Sequence, residues 1–457
     1  MGEAIGPIET AWDQALAAIP DQSAWIEEQL SRVRDNPALS KNGKGLQRAA
    51  RPRFMDDAVL DADQAVVTAV SAALDAAAST ILADPELSRR CLGPWAQDAR
   101  LLDLFSLPAG YPQHVVFGRF DGVRGPDGMR VLEFNGGLPG GLTITEASAA
   151  LMSTWPAFAE VSASVNLHAP RLFEAIATTI TGVWHAFGGS GTPRVAFVVP
   201  REFQDYVAAQ IRVMLASLRS HGIEVSTCDP DELVRKDGKV HGPDGVVDVA
   251  IRVFFTSMLP ALGGRLDTMV EAVRAGELCM VTSFRAGLLG HKSLFAVITD
   301  PGIDLGLPQE IRELVRAHVP WSRIMTDTSA SAPDGSVVDL REYALAEAAH
   351  LVLKPAEGTG GAGVLLGWEQ DAEDWRAAIE SALSSPDVWI IQERIPLTFE
   401  ELPVLEDGFP LRQFQADHNP LVFNDRIGGY FVRLSETGGI TNVTSGDGTV
   451  IPTYFVD

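Results

Sequence analysis

Apolar residues recur at helical spacing through the first hundred positions. Trp12, Leu16 and Ile19 share one helix face, and Trp25, Leu30 and Val33 follow the same period more loosely. Residues 65–82 are Ala-rich, with high helix propensity and with Val and Leu placed for plain helix packing. Residues 8–104 are therefore expected to be mostly helical. The period then falls to two, and strands are predicted over 115–121 and 129–135. A glycine run at 136–141 breaks the chain, and helices follow through Phe187. Residues 188–193, Gly-Gly-Ser-Gly-Thr-Pro, read as a linker. After it, strands at 194–199, 224–228 and 247–255 alternate with a helix at 203–221, and 273–282 repeats a helix-strand step. That alternation predicts a small parallel α/β domain. Residues 330–335 read as a loop, and 351–457 mix strands with glycine-rich turns.

The strands at 115–121 and 129–135 flank Gly125-Pro126-Asp127-Gly128, a hairpin signal. Side chains two apart on a strand share a face. Arg119 and Asp121 therefore point together, as do Glu133 and Asn135. Paired in register, the hairpin gathers two carboxylates, an amide oxygen and a guanidinium on one face. Hard oxygens of this kind can hold Mg2+, with the arginine fixed beside a phosphate. Taken alone, the same face also reads as a solvated surface with an ion pair.

Charge narrows the partners. Sixty acidic residues against 36 basic ones leave a formal net charge of −24, and no long basic run interrupts the field. Nucleic-acid binding rests on neutralising phosphates, so nucleic acid is not expected as a partner. Cys91, Cys228 and Cys279 are widely separated and show no disulfide or zinc spacing, which fits a reducing cytoplasm. No leader pattern is read at the N-terminus, and no apolar stretch reads as long enough to span a bilayer.

The last third carries further chemistry. An apolar strand at 351–355 ends in Lys354-Pro355, and Glu357, Gly358, Thr359, Gly360 and Gly361 follow directly. Glycines let backbone N–H groups approach phosphate oxygens without a Cβ in the way. The loop matches neither a Walker A sequence nor a dinucleotide fingerprint, and a strand at 364–367 follows it. A glycine flap between two antiparallel strands is expected. The strand 389–395 ends in Gln392, Glu393, Arg394 and Ile395, and its backbone edge is placed to meet a purine. Lys292 opens a helix, and with Lys354 it can clamp α- and β-phosphates. Each lysine alone also reads as an ordinary surface charge. Arg433, on a late strand before Gly438-Gly439-Ile440-Thr441-Asn442, can face a γ-phosphate or solvent.

Together these segments resemble the ATP-grasp superfamily. They look most like its circularly permuted branch, typified by the synthetase domains of glutathionylspermidine and trypanothione synthases, over about residues 117–457. The metal hairpin here precedes the glycine loop, as in that branch. The resemblance implies an α/β, circularly permuted ATP-grasp fold with a small parallel α/β domain and N-terminal helices. It implies four regions: helices over 1–110, the metal-binding hairpin and helices over 111–190, the α/β domain over 191–290, and nucleotide-binding subdomains over 291–457. Asp121, Glu133 and Asn135 would bind Mg2+, Arg119 and Arg433 would serve the transferred phosphate, and Lys292, Lys354, the 357–361 loop and Gln392, Glu393 and Ile395 would hold ATP. The implied activity joins a small-molecule carboxylic acid to an amine through an acylphosphate, releasing ADP and phosphate. A small-molecule kinase and a nucleotide-bound regulator are the alternatives. The chain departs from the branch in lacking an N-terminal amidase domain and in its 136–141 run, so the acid and the amine stay unassigned.

Overall fold

The structure is a computed structural model that describes residues 5–113, 115–125, 127–358, 360–436 and 448–456. Its centre is a six-stranded antiparallel sheet. The hairpin Phe117–Gly125 and Gly128–Gly136 forms one side, followed by Leu411–Phe423, Arg426–Ser435 and Thr449–Ile451, with Phe399–Pro403 pairing to the start of Leu411–Phe423. The hairpin is therefore as expected, and Gly128 takes the positive φ of 103° that its turn requires.

The expected parallel domain is present. Arg194–Val198 lies between Glu224–Cys228 and Val249–Arg252, Cys279–Met280 extends the sheet, and every pair is parallel. Helix Arg201–Ser220 makes the crossover between the first two strands. A second antiparallel sheet runs Ser322–Ile324, Trp389–Glu393, Leu351–Pro355, Leu365–Leu366. It has its own core of Trp321, Leu353, Trp375, Ile379 and Ile391. Strands Leu351–Pro355 and Leu365–Leu366 bracket the glycine loop in antiparallel register, as the sequence predicted.

Three features depart from the sequence reading. A strand at Arg53–Asp56 interrupts the N-terminal helices and pairs in parallel with Thr453–Val456. A three-stranded antiparallel ribbon over Val234–Lys236, Lys239–Gly242 and Gly245–Val247 was not anticipated. Residues 330–335 are not a plain loop but the tip of a hairpin between Ser329–Ser331 and Val337–Asp339.

The longest helix, Asp57–Ala83, corrects a further expectation. It is capped by Asp56, whose carboxylate accepts from the Val59 N–H at 2.9 Å. By length and composition it could cross a membrane, yet more than half of its apolar window is buried inside the protein. Val66, Val70, Leu74, Ala77 and Ile81 enter the largest core, which also holds Phe120, Phe134 and residues of the parallel domain. Its alanines let neighbouring elements approach closely, so apolar content here serves packing.

Candidate functional site

Antiparallel register decides the site. Arg119 lies opposite Asn135 and Asp121 opposite Glu133, so all four side chains leave one face of the hairpin. On the other face the Phe120 and Phe134 rings meet at a tilt of 41°, centroids 4.6 Å apart, and anchor the ribbon in the core. A β-bulge directly after Asp121 ends this regular pairing. The Asn419 side chain steadies it, accepting from the Gly122 N–H at 3.0 Å.

Asp121 is buried and is the hub. It accepts from Arg119 at 2.6 and 3.0 Å, from Asn135 at 3.0 Å and from Arg433 at 3.2 Å. Burial alone would raise its carboxyl, but Arg119, Arg433 and Lys292 together hold it below the usual carboxylate range. Arg433 also donates to Asp417 at 2.7 Å, across the pair formed by their two strands. The Phe431 ring lies under both guanidiniums, 5.6 Å from Arg119 and 5.7 Å from Arg433.

The two lysines arrive from elsewhere. Lys292, immediately before helix Ser293–Ile298, places Nζ 3.4 Å from Glu133 and donates to the Gly358 carbonyl at 2.9 Å. Lys354, on Leu351–Pro355, donates to Gln392 Oε1 at 2.9 Å and to the Leu132 carbonyl at 3.3 Å. Burial pulls its ammonium down to about 8, with Glu133 opposing that fall and Lys292 adding to it. The site thus holds Arg119, Lys292, Lys354 and Arg433 against the carboxylates of Asp121, Glu133 and Asp417. This local excess of positive charge lies in a strongly acidic chain and suits a polyanion.

The structure brings Arg119, Asp121, Glu133, Asn135, Lys292, Lys354, Gln392 and Arg433 together, and the 357–361 loop reaches them through Gly358. Glu357, Gly358 and Gly360 are exposed and Gly361 is half-buried. Thr359 and residues 438–442 lie outside the described residues. One expectation needs correction. Strand Trp389–Glu393 is flanked on both sides, by Ser322–Ile324 and Leu351–Pro355, so it offers no free edge to a purine. Gln392 is buried and its amide is spent on Lys354 and, at 2.9 Å, on Ser322. Glu393 accepts from the Trp321 N–H at 3.4 Å. Ile395 was expected on this strand, but the strand ends at Glu393 and Ile395 lies half-buried beyond it.

The sequence reading missed Asp417. Its only local signal is the alternation of Gln415, Asp417 and Asn419 on one strand, and its partner Arg433 is set by long-range register. As a cation site the hairpin offers hard oxygens from Asp121 and Glu133 and, after rotation of its amide, from Asn135. Among the described residues no three His, Cys, Asp or Glu side chains converge, so the asparagine is needed to complete the set.

The chain has the fold of the glutathione synthetase-like effector GSS30 from Globodera pallida, solved in the apo form. The two share 13% identity with a TM-score of 0.58, and the alignment covers 96% of this chain and 98% of the effector. The likeness runs end to end and bears out the expected mixed α/β fold class. The ATP-grasp ligase PsnB, complexed with a phosphomimetic precursor variant, Mg and ADP, aligns at 16% identity over 58% of this chain and 88% of its own, with a TM-score of 0.29. No family model matches the chain, and no curated protein matches it.

Proposed function

We propose that this protein is an ATP-dependent carboxylate–amine ligase. One observation carries the reading: acids from the early hairpin and cations from three distant segments enclose a single buried charge cluster around Asp121. The order of those segments, acids before lysines, is read as the permuted ATP-grasp arrangement. The fold shared with a glutathione synthetase-like protein supports the choice of reaction. Three buried cysteines, none in a disulfide, are compatible with a reducing cytoplasm.

A carboxylate is a poor electrophile, so an amide does not form from it directly at neutral pH. In the proposed reaction the substrate carboxylate attacks the γ-phosphate of ATP, giving an acylphosphate and ADP. An amine then attacks the acyl carbon and phosphate leaves. Asp121, Glu133 and Asn135 would hold Mg2+, which would neutralise phosphate charge when bound. Arg119 and Arg433, braced by Asp121, Asp417 and Phe431, would hold the transferred phosphate. Lys292 and Lys354 would neutralise the remaining phosphates. The 357–361 loop, joined to the site through Lys292, would close over the nucleotide and keep water from the acylphosphate. No side-chain nucleophile is required. Positioning and charge neutralisation supply the catalysis.

The test is incubation with Mg2+, ATP and pooled acids and amines, followed by measurement of ADP and product mass. The expected product weighs one water less than its acid and amine together. A phosphorylated acid as the final product, or no ADP with any pool, overturns the reading.

A further inference from the structure

A cavity of about 420 Å³ opens at the edge strand Ser322–Ile324 and takes no part in the ligase reading. Register sets Arg323 level with Ile391 and Leu353, so its side chain leaves the sheet face opposite to that of Lys354. Arg323 lines the cavity and is 5% exposed. Its Nη1 donates to the Ser322 and Thr299 carbonyls at 2.6 and 3.1 Å, its Nη2 donates to Ser331 Oγ at 2.6 Å, and its buried Nε has no partner. The Trp321 ring centroid lies 5.1 Å from the guanidinium. Among the described residues no carboxylate pairs with it, and Asp300 only opposes, through space, the lowering that burial imposes. The guanidinium thus has donors left over and no counter-charge, and a bound anion would meet both needs.

The rest of the lining fits an anion that carries hydroxyls. Two arginines, Arg90 and Arg323, stand against the single carboxylate of Asp300, and Thr326, Thr328, Ser329 and Ser331 add hydroxyl side chains. The volume suits a small metabolite. The walls are also the elements that deliver both lysines. Helix Ser293–Ile298 follows Lys292 directly and gives Ala296 and Val297 to the cavity. Ser322, next to Arg323, accepts from Gln392 at 2.9 Å, and Gln392 in turn accepts from Lys354. Thr299 staples helix to strand. Its hydroxyl donates to the Ser322 carbonyl at 3.1 Å, and Arg323 bonds the carbonyls of both residues.

We propose that this cavity is an effector site for a small hydroxylated anion, of the sugar phosphate or sugar acid kind. Arg323 and Arg90 hold its anionic group by charge-assisted hydrogen bonds. Its occupancy fastens helix Ser293–Ile298 to strand Ser322–Ile324 and so pre-orders Lys292 and Lys354 for a nucleotide. The site stands on the cavity alone; the coupling rests on the nucleotide reading of the two lysines.

Ribose 5-phosphate, gluconate and ribose, titrated calorimetrically into the full chain without nucleotide, test the site. An anion is expected to bind at least about tenfold more tightly than neutral ribose, and which of the two does so separates phosphate from carboxylate. Ser329 is exposed, so Ser329→Glu sets a like charge in the lining without disturbing a core. It should weaken that anion at least about tenfold, and so should Arg323→Met. Arg433→Met, which disables the charge cluster around Asp121, should leave the anion within about threefold of the wild type. If Arg323→Met fails to fold, Ser329→Glu decides. No preference over ribose, or an anion lost in Arg433→Met and kept in Ser329→Glu, overturns the site. With the anion saturating, ADP and Mg2+ should bind at least about fivefold more tightly, and ADP should tighten the anion by the same factor. Unchanged or weaker ADP binding keeps the site and overturns the coupling. No ADP binding under any condition overturns the nucleotide reading and the coupling with it, and the site is then decided by the three sugar titrations.

Discussion

At the scale of single residues, the informative fact is that the site's charges are not equally free. Among the described residues Glu133, half-buried, forms its ion pair with Lys292 at 3.4 Å, whereas Asp121 is locked by two guanidiniums. Glu133 is thus the carboxylate best placed to exchange a weak partner for a metal. Glu133→Gln keeps shape and removes charge. It should lower Mg2+-dependent ADP release at least about tenfold with the fold intact by circular dichroism. Wild-type turnover in that variant would remove Glu133 from the metal set. Lys354 makes a pH prediction. Its ordinary value is 10.5 and its folded value about 8. Below pH 8 the ammonium is charged both folded and unfolded, and the burial penalty, on the order of 3 kcal/mol, is fully present. As pH rises from 8 to 10.5 the folded protein sheds this proton first, and stability gained from this group rises. Phosphate affinity moves the other way, because the clamp loses its charge. ATP affinity should fall above about pH 8 in the wild type. Lys354→Met should bind at least about tenfold more weakly at pH 7 and lose that dependence. Calorimetry across pH 7 to about 9.5 checks both parts. An unchanged affinity or an unchanged slope in the variant would contradict the role.

At the scale of elements, the hairpin Phe117–Gly125 and Gly128–Gly136 is the part most legible from the chain. Alternation, a Gly-Pro-Asp-Gly turn and paired polar residues two apart state both the strands and their shared face. The parallel domain was legible for the same kind of reason, since strand and helix periods alternate there. The ribbon over 234–247 was not. Its first strand, Val-Arg-Lys, is exposed throughout and carries no alternation to read. Asp417 was hidden because its meaning comes from pairing with Arg433 across a sheet, which no local window contains. The free edge assigned to 389–395 failed because pairing on both sides depends on segments far away in sequence. The hairpin also carries a packing constraint that its sequence states only as a glycine. A Cβ on Gly136 would stand 1.9 Å from the carbonyl oxygen of Ala286, in helix Phe284–Leu289. A backbone atom cannot step aside as a flexible side chain can. Gly136→Ala should therefore cost about 2 kcal/mol or more and push the hairpin away from Lys292. Urea unfolding reads the first effect and ATP affinity the second, and an unchanged midpoint would show that the helix yields freely.

At the scale of the whole molecule, the site is a junction between bodies with separate cores. The hairpin belongs to the largest core, with the Asp57–Ala83 helix and the parallel domain. Sheet residues around Phe414, Tyr430 and Val432 form another. The sheet carrying Lys354 and Gln392 has a third, built on Trp321 and Trp375. Across this junction Lys354 reaches Leu132, and Lys292 ties Glu133 to Gly358. A magnesium–nucleotide complex neutralised from all sides would add bonds to every body at once. Binding to the folded state alone stabilises by about 2.7 kcal/mol when ligand stands at a hundred times Kd. In a chain of this size that is a melting shift of a few degrees. The local signature is sharper. Amide exchange should slow together in 117–136 and in 351–366 when ADP and Mg2+ are added, because one ligand spans both. Glu133→Gln should keep the nucleotide's share of the shift and lose the increment due to Mg2+. Protection confined to 351–366, with the hairpin unchanged at saturating nucleotide, would mean that the acids and the lysines do not serve one ligand, and the single-site reading would fall with it.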